Sequence, residues 1–560
     1  MKRRRWYLHP PIPDSLRRRR PDIPPLLIQL LHNRGLSLDG PWEAFLRADD
    51  LGHDPMLLPD MAVAVERLKR AVSSGELVAV YGDFDTDGVT ATAVLVQALQ
   101  RVGARAIPYI PHRREEGYGL NAASLEGLAR QGVNVVVTVD CGISSHREVQ
   151  AARSLGMDVI ITDHHAVPDT LPLALAVVDP RRPDSRYPFP DLAGVGVAFK
   201  LCQALRQAAQ VGSPDHVDGP GIGLTALGTV ADMMPLVGEN RYLVKQGLKE
   251  LGQCLGVREL AAVAGLAPGS IDTEAISFAL APRLNAAGRL DHAMKGYRLL
   301  TATSPEEARA LAGELETLNQ ERQRLTAEVL AQALECADAS QPLIFAAAPG
   351  FHAAVAGIVA GKLTDELHRP AVVVEVGPEE SRGSCRSIPE FNIVQALAQC
   401  RDLFRRYGGH AQAAGFALPT ASLPALRERL VALAASELSG VDLRPVLSID
   451  AEVRLRSLGP QLINVVQELA PYGQGNPAPT FLTRRTTLAE CSVMGNNGQH
   501  LRLRFQEGRS AAWMAVAFDQ GGLALPAPSL VDIVYRLEVD RWRGAPQLRL
   551  NILDMAPSPS

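Results

Sequence analysis

Four times between Leu77 and Pro180 the chain repeats one unit, a short apolar run closed by an aspartate. LVAVYG leads into Asp83, VNVVVTV into Asp140, MDVIIT into Asp163 and LALAVV into Asp179. Helix-patterned stretches lie between them, at Thr90–Gln100, Ser124–Gln131 and Ser145–Leu155. Continuous β-branched runs alternating with helices form a parallel sheet covered on both faces, since neither face of such a strand suits water. Ligands of such sheets bind beyond the carboxyl ends of the strands, where these four acids fall. One Asp after a strand is an ordinary turn or N-cap residue. Several on neighbouring strands make a cluster of like charge that needs a reason.

The 560 residues predict several folding units, about three to five. A helical region follows the sheet to about Thr303 and includes TALGTVADMMPLV around Asp232. Ser304-Pro305-Glu306-Glu307 then opens a long helix, with Ser304 as N-cap and Glu307 completing a capping box, that runs to about Ala337. Residues 343–376 restart the α/β pattern, with strands LIFAAA and AVVVEV around a helix near Ala353–Glu366. After Gly440 short strands with Gly, Pro and Asn turns suit a small β-barrel. A hydrophobic fraction of 46% and a charged fraction of 21% exclude a disordered chain. No apolar run reaches the ~18 residues of a membrane span, and MKRRRWYLHPPIP lacks the apolar core of a secretion signal. Seven cysteines stand singly without CxxC, which excludes a disulfide framework or zinc knuckle and points to a reducing cytoplasm.

A net charge of −4 hides an uneven distribution. Residues 1–20 carry eight Lys/Arg against one acid, so this arm is either a phosphate contact or an untethered, solvated terminus. From Leu443 onward all twelve basic residues are Arg, the side chain suited to planar phosphate contacts and base stacking. Arg454 and Arg456 alternate with Val453 and Leu455, as Arg502 and Arg504 alternate with Leu501, Leu503 and Phe505. A period of two predicts strands with one arginine face, for binding or merely for solvent.

In Gly82-Asp83-Phe84-Asp85-Thr86-Asp87-Gly88 alternate acids leave a strand end, and Asp140 with Asp163-His164-His165 converge from neighbouring strands. Oxygen-rich donors with one or two imidazoles suit Mn²⁺ or Mg²⁺ better than structural zinc. A carboxylate shared by two ions is the arrangement for phosphoryl hydrolysis. An EF-hand reading of DFDTDG fails because Val94, not Glu, stands at loop position 12.

These residues resemble the DHH phosphoesterase superfamily, and within it the RecJ single-strand-specific 5′→3′ DNA exonucleases. The resemblance extends from about Leu51 to Leu550 through HRREEGYGLN (112–121), VDCGIS (139–144), GTVADMMPL (228–236), RLNAAGRL (283–290), GSCRSIPEFNI (383–393), GGHAQAAGF (408–416) and APYGQGNPAPTF (470–481). It implies an α/β chain: a parallel-sheet DHH catalytic domain (46–303) behind a basic N-terminal arm (1–45), a connecting helix (304–338), an α/β DHHA1 domain (339–440) facing the metal site across a cleft, and a C-terminal OB-like β-barrel (441–560).

The resemblance also implies two divalent cations, Mn²⁺ or Mg²⁺, held by Asp85, Asp87, Asp140, His164 and Asp232, with Asp140 the expected bridge and Asp83 and Asp163 orienting the ligands. His165 is either a ligand or a group assisting the leaving oxygen, and His112 is structural. Arg113 and Arg289 resemble DNA-contacting arginines, and Ser384, Arg386 and Ser387 a terminal-phosphate pocket. Gly409 and His410 offer close backbone approach and a titratable donor. Tyr118 either stacks a base or sits in the core, and so do Trp513 and Trp542. Single-stranded DNA is the implied substrate, cut to mononucleotides in repair and recombination, with a single-stranded-DNA-binding protein and a RecQ-type helicase as partners of a monomer. The rivals are a DHH phosphodiesterase of short oligonucleotides or cyclic dinucleotides, and a non-catalytic DNA-binding scaffold.

Overall fold

Each acid-ended run is a strand in the computed structural model, which describes residues 4–40, 42–48, 52–209, 219–495, 497–508, 512–540 and 547–559. The chain divides into two units, each described by itself: Arg34–Asn319 with Asn464–Ala478, and the remainder of the described residues.

In the first unit the strands are β1 (Leu77–Gly82), β2 (Arg105–Tyr109), β3 (Val133–Val139), β4 (Asp158–Thr162) and β5 (Ala176–Val178), all parallel in the order β2-β1-β3-β4-β5. The edge strand β2 escapes the acid-ended pattern, because Tyr109 leads into no Asp. Pleating sends alternate residues to opposite faces. Val78, Val80, Val135, Val137 and Ile160 join one buried core, while Ala79, Tyr81, Val136, Val159 and Ile161 join another. Helix α1 (Thr86–Arg101) covers the first face. Helices α2 (Ala122–Arg130) and α3 (His146–Ser154) cover the second. Helices α4 (Gly194–Ala209), α5 (Gly219–Ala231), α6 (Gly238–Glu250) and α7 (Ala281–Leu290) follow. Strand order reverses between β1 and β3, so a crevice opens beyond their carboxyl ends.

The long helix, α8, runs Pro305–Cys336. Ser304 Oγ accepts from the Glu307 amide at 3.3 Å, but the Glu307 carboxylate pairs with Arg298 (2.9 Å), leaving the capping box half formed.

The second unit holds a sheet of β6 (Ile344–Ala348), β7 (Ala371–Glu375), β8 (Glu380–Arg386), β9 (Arg406–His410) and β10 (Ala413–Pro419), with α9 (Ala353–Leu367) crossing between β6 and β7. Their order is β9-β10-β8-β7-β6, with only β6–β7 parallel. A barrel of β11 (Phe481–Met494), β12 (His500–Gln506), β13 (Trp513–Ala517), β14 (Ser529–Asp540) and β15 (Gln547–Pro557) closes when β14 pairs back onto β11. On β12 the arginines alternate outward as expected, with Leu501, Leu503 and Phe505 buried and Arg504 paired to Glu490 at 2.5 Å. Arg454 and Arg456 do not lie on a strand: Leu455–Ser457 is a 3₁₀ turn, with only Leu455 buried. Two alternations were too short to outweigh the turn.

An untethered amino terminus is also overturned. Arg5–Leu8 pairs in parallel with Val446–Ile449, Trp6 and Leu8 pack beside Ile449, Leu482 and Val534, and Trp6 Nε1 donates to Asp554 at 2.8 Å. The arginines around it mask this short alternation in the sequence. Lys2, Arg3 and Trp542 lie outside the described residues, and Trp513 is half-buried.

Candidate metal centre

Asp83, Asp140, Asp163 and Asp179 each stand one residue past a strand of the same sheet, so parallel register alone brings their backbones to one edge. Local turns then aim the side chains. Asp85 caps α1, its Oδ1 accepting from the Asp87 and Gly88 amides (3.0 and 3.1 Å). That turn is anchored from α7, where Asn285 Oδ1 accepts from the Thr86 amide and hydroxyl (2.8 and 2.9 Å). Asp87 is held by the first turn of α4: the Gly194 amide donates to Oδ2 at 2.7 Å and the Val195 amide to Oδ1 at 2.8 Å. A helix N-terminus favours a carboxylate there. Asp140 leaves β3 with φ +62°, in the left-handed region, and rests against Gly194. Asp232 follows the end of α5.

The imidazoles divide the work. His164 is buried, and its Nε2 lies 3.1 Å from Asp140 Oδ1, 3.7 Å from Asp232 Oδ2 and 3.9 Å from Asp87 Oδ2. Burial, then the neighbouring His165, pushes its pKa down to about 4, so it is a neutral donor at neutral pH. His165 is partly exposed, with Nδ1 at 2.7 Å from Asp163 Oδ1. Burial works against its charge, but the bond to Asp163 and the charges of Asp163 and Asp232 outweigh it and raise the pKa to about 9. Asp163 spends its oxygens on the Ile143, His164 and His165 amides and on His165 Nδ1, which fits an orienting role.

Three overlapping groups can each hold a cation, with candidate donor atoms within 4.8 Å of one another: Asp83–Asp85–Asp140, Asp87–His164–Asp232 and Asp140–His164–His165. Asp140 and His164 are each common to two of them. Asp83 also sits among the candidate ligands, with a buried Oδ1 that has no hydrogen-bond partner. Burial, then the neighbouring acids, pushes Asp83, Asp87 and Asp140 well above the usual carboxylate range, and Asp232 up to about 7. Carboxylates so crowded become fully charged when a cation offsets them. Hard oxygen donors with one or two imidazoles fit Mn²⁺ or Mg²⁺.

Around this group, Tyr118 is 57% exposed, its ring 6.3 Å from that of His165 and 6.1 Å from that of Phe84, so the core alternative fails. The Arg113 guanidinium lies 4.7 Å from the Phe84 ring centre. Arg289 sits half-buried in the last turn of α7. His112 accepts from the Glu115 amide and faces His292, a structural setting. Gly194 gave no signal beyond being a glycine at a helix start. Its function shows only in contact: a Cβ there would lie 2.5 Å from Asp140 Oδ1.

In the second unit, Ser384 and Arg386 lie on β8 and face Gly357 of α9, where a Cβ would meet Arg386 Nη2 at 3.4 Å and Ser384 Oγ at 3.7 Å. Ser387 Oγ donates to the Phe391 carbonyl (2.6 Å). Gly408–His410 lie at the end of the exposed strand β9, in which Gly409 (φ +143°) has no room for a side chain against Ala413 and Ala414.

Family models match along the chain: the DHH family N-terminal domain over residues 77–229, the DHHA1 domain over 340–436 and the RecJ OB domain over 449–554. The single-stranded-DNA-specific exonuclease RecJ of Bacillus subtilis is 36% identical over 99% of this chain and 71% of its own length. That of Thermus thermophilus is 37% identical over 91% of this chain and 73% of its own. The crystal structure of T. thermophilus RecJ in complex with Mn²⁺ superposes with a TM-score of 0.86 at 33% identity, covering 100% of this chain and 81% of that one. Its Mg²⁺ complex gives 0.79 at 32% identity over 99% and 79%. With its acid-ended parallel sheet, its DHHA1 module and its closed barrel, the chain belongs to the RecJ single-stranded-DNA-specific exonucleases.

Proposed function

We propose that the protein degrades single-stranded DNA from the 5′ end to mononucleotides by two-metal phosphodiester hydrolysis, in DNA repair and recombination. The observation that carries this is the set of three overlapping donor groups gathered beyond the carboxyl edge of the parallel sheet, with Asp232 brought in from the end of α5. Two cations, Mn²⁺ or Mg²⁺, would be held by Asp85, Asp87, Asp140, His164 and Asp232. When bound they supply a water of lowered pKa and a clamp on the phosphate oxygens.

The chain's own residues do the rest. The Gly194 and Val195 amides and Asn285 keep the acids of the DFDTDG turn in place before any cation arrives. His165, hydrogen-bonded through Nδ1 to Asp163, is placed to give a proton to a phosphate or leaving oxygen. Tyr118 offers an exposed ring to a base, and Arg113 and Arg289 take the backbone. Ser384 and Arg386, with Ser387, Gly409 and His410 nearby in the fold of the same module, receive a terminal phosphate. The barrel offers outward arginines such as Arg502 for phosphate contacts with single-stranded DNA.

We assign the domains as 46–303, 304–338, 339–440 and 441–560, with the segment Asn464–Ala478 folded against the first. No described helix is long and apolar enough to cross a membrane. A cytoplasmic monomer that meets a single-stranded-DNA-binding protein and a RecQ-type helicase is part of the same reading. The test is a nuclease assay with 5′- and 3′-labelled single and double strands, with and without Mn²⁺. Release of mononucleotides from the 5′ end of long single strands is expected; cleavage confined to dinucleotides would refute it.

A further inference from the structure

The motif Ala470-Pro471-Tyr472-Gly473-Gln474-Gly475-Asn476 precedes the barrel strand β11 in the chain but folds onto the unit that carries the metal centre, and no step of hydrolysis uses it. It lies against the turn that bears Asp232. Within that turn Met233, next to Asp232, is 69% exposed and has φ +57°, while Met234 and Leu236 are buried in the core. Its own backbone bonds to the end of α5, from the Asp232 amide to the Gly228 carbonyl (2.9 Å) and from the Met234 amide to the Thr229 carbonyl (3.2 Å), are joined by bonds from farther along the chain. The Leu236 amide donates to the Gln474 carbonyl at 2.7 Å, and Asn240 Nδ2 donates to the Pro235 carbonyl at 3.2 Å. Gly473 lets the motif's backbone press on Leu236, since a Cβ there would lie 2.7 Å from Leu236 Cδ1; one on Gly475 would lie 3.2 Å from Pro235.

The motif is itself anchored with unusual completeness. Arg241 is fully buried, and its guanidinium donates to the carbonyls of Ala470 (2.8 Å), Pro471 (3.2 Å), Glu468 (3.5 Å) and Phe45 (2.6 Å) while stacking 4.0 Å from the Phe45 ring centre. Asn476, also fully buried, donates to the Leu469 and Pro471 carbonyls at 2.8 Å each and accepts from Arg34 Nε at 2.8 Å. Thr273 Oγ1 donates to the Tyr472 carbonyl at 2.6 Å. A planar fork that saturates several carbonyls fixes a loop's path as well as its stability.

We propose that residues 470–476 are a strap that positions Asp232 for cation binding, with Arg241 as the positioning residue that anchors it. This rests on Asp232 being a metal ligand. The strap is continuous in sequence with β11, so the segment leading into the DNA-binding barrel also completes the metal centre. A chain cut before residue 464 would lose both.

The test measures Mn²⁺ binding to the full chain without DNA, by electron paramagnetic resonance of the free ion, alongside turnover and thermal unfolding. Gly473→Ala and Arg241→Lys should each weaken Mn²⁺ binding about tenfold, as loss of a ligand-orienting partner does. Turnover should recover at saturating Mn²⁺, with KM for single-stranded DNA unchanged. Asp232→Ala is the reference. If it leaves Mn²⁺ binding intact, the ligand assignment is what fails. If Asp232→Ala weakens binding while whichever strap variant folds binds Mn²⁺ like the wild type, the strap is only a packing element and the proposal is overturned.

Discussion

Gly194→Ala is a sharp test of the metal centre, because general principles predict the opposite of what this structure predicts. Gly194 opens α4 without a positive φ, so alanine suits its backbone and would ordinarily favour the helix by up to about 1 kcal/mol. The added Cβ, however, would lie 2.5 Å from Asp140 Oδ1, 2.6 Å from its Cβ and 2.7 Å from its Cγ. Non-bonded carbons settle at about 3.5–4.0 Å, so Asp140 or the helix start must move by about 1 Å. Either motion reaches the site, since the Gly194 and Val195 amides also hold Asp87. A displacement of that size at a reacting centre costs about 100-fold in rate. Overpacking costs about 1–3 kcal/mol, partly offset by the helix preference. The assay is release of labelled mononucleotide from single-stranded DNA across a Mn²⁺ titration, with binding to an uncut strand in EDTA. We expect kcat to fall about 100-fold while strand binding persists. Gly127→Ala, in α2 with nothing within 4 Å of its added Cβ, should keep full activity. A Gly194→Ala enzyme within about threefold of wild type would refute the packing argument.

Stability should depend on pH and metal together. Asp232 has its folded pKa raised to about 7 and His165 to about 9, so each contributes stability at low pH that is lost as pH rises through the folded value. His164, lowered to about 4, adds nothing further above about pH 6.5. Metal-free protein should therefore melt at lower temperature at pH 9 than at pH 6.5, and Mg²⁺ should shrink that difference; equal slopes with Mg²⁺ and with EDTA would count against it. Tyr118→Ala should weaken single-strand binding by the roughly 1–3 kcal/mol of one stacked base, with Tyr118→Phe near wild type in fluorescence anisotropy. Arg386→Ala should erase the preference for a 5′-phosphate over a 5′-hydroxyl end in competition assays, and an unchanged preference would reject the phosphate pocket.

The acid-ended runs were legible because burial on both faces of a parallel strand leaves a local signature, a run of six or seven mostly apolar residues that needs no distant partner to be read. The same locality made α8 and the β6–α9–β7 unit readable, and it failed where the signal was short. Arg5–Leu8 looked like part of a charged tail because its two inward residues, Trp6 and Leu8, find their partners in the barrel, hundreds of positions away. Arg454–Arg456 looked like a strand because two alternations also fit a turn.

At the candidate site the sequence by itself offered the donor types: Asp83, Asp85, Asp87, Asp140, Asp163, His164 and His165 carry the chemistry in their side chains, and the family resemblance added Asp232. Only the tertiary structure decided how they are used. It spends Asp163 on amides, places Asp83 among the candidate ligands, raises the pKa of His165 while lowering that of His164, and turns Tyr118 outward. It also recruits groups with no chemical mark in the sequence, such as the missing Cβ of Gly194 and the carbonyl of Gln474. Donor chemistry belongs to a residue wherever it lies. Position, burial and charge belong to contacts between distant segments, and those exist only once the chain has packed.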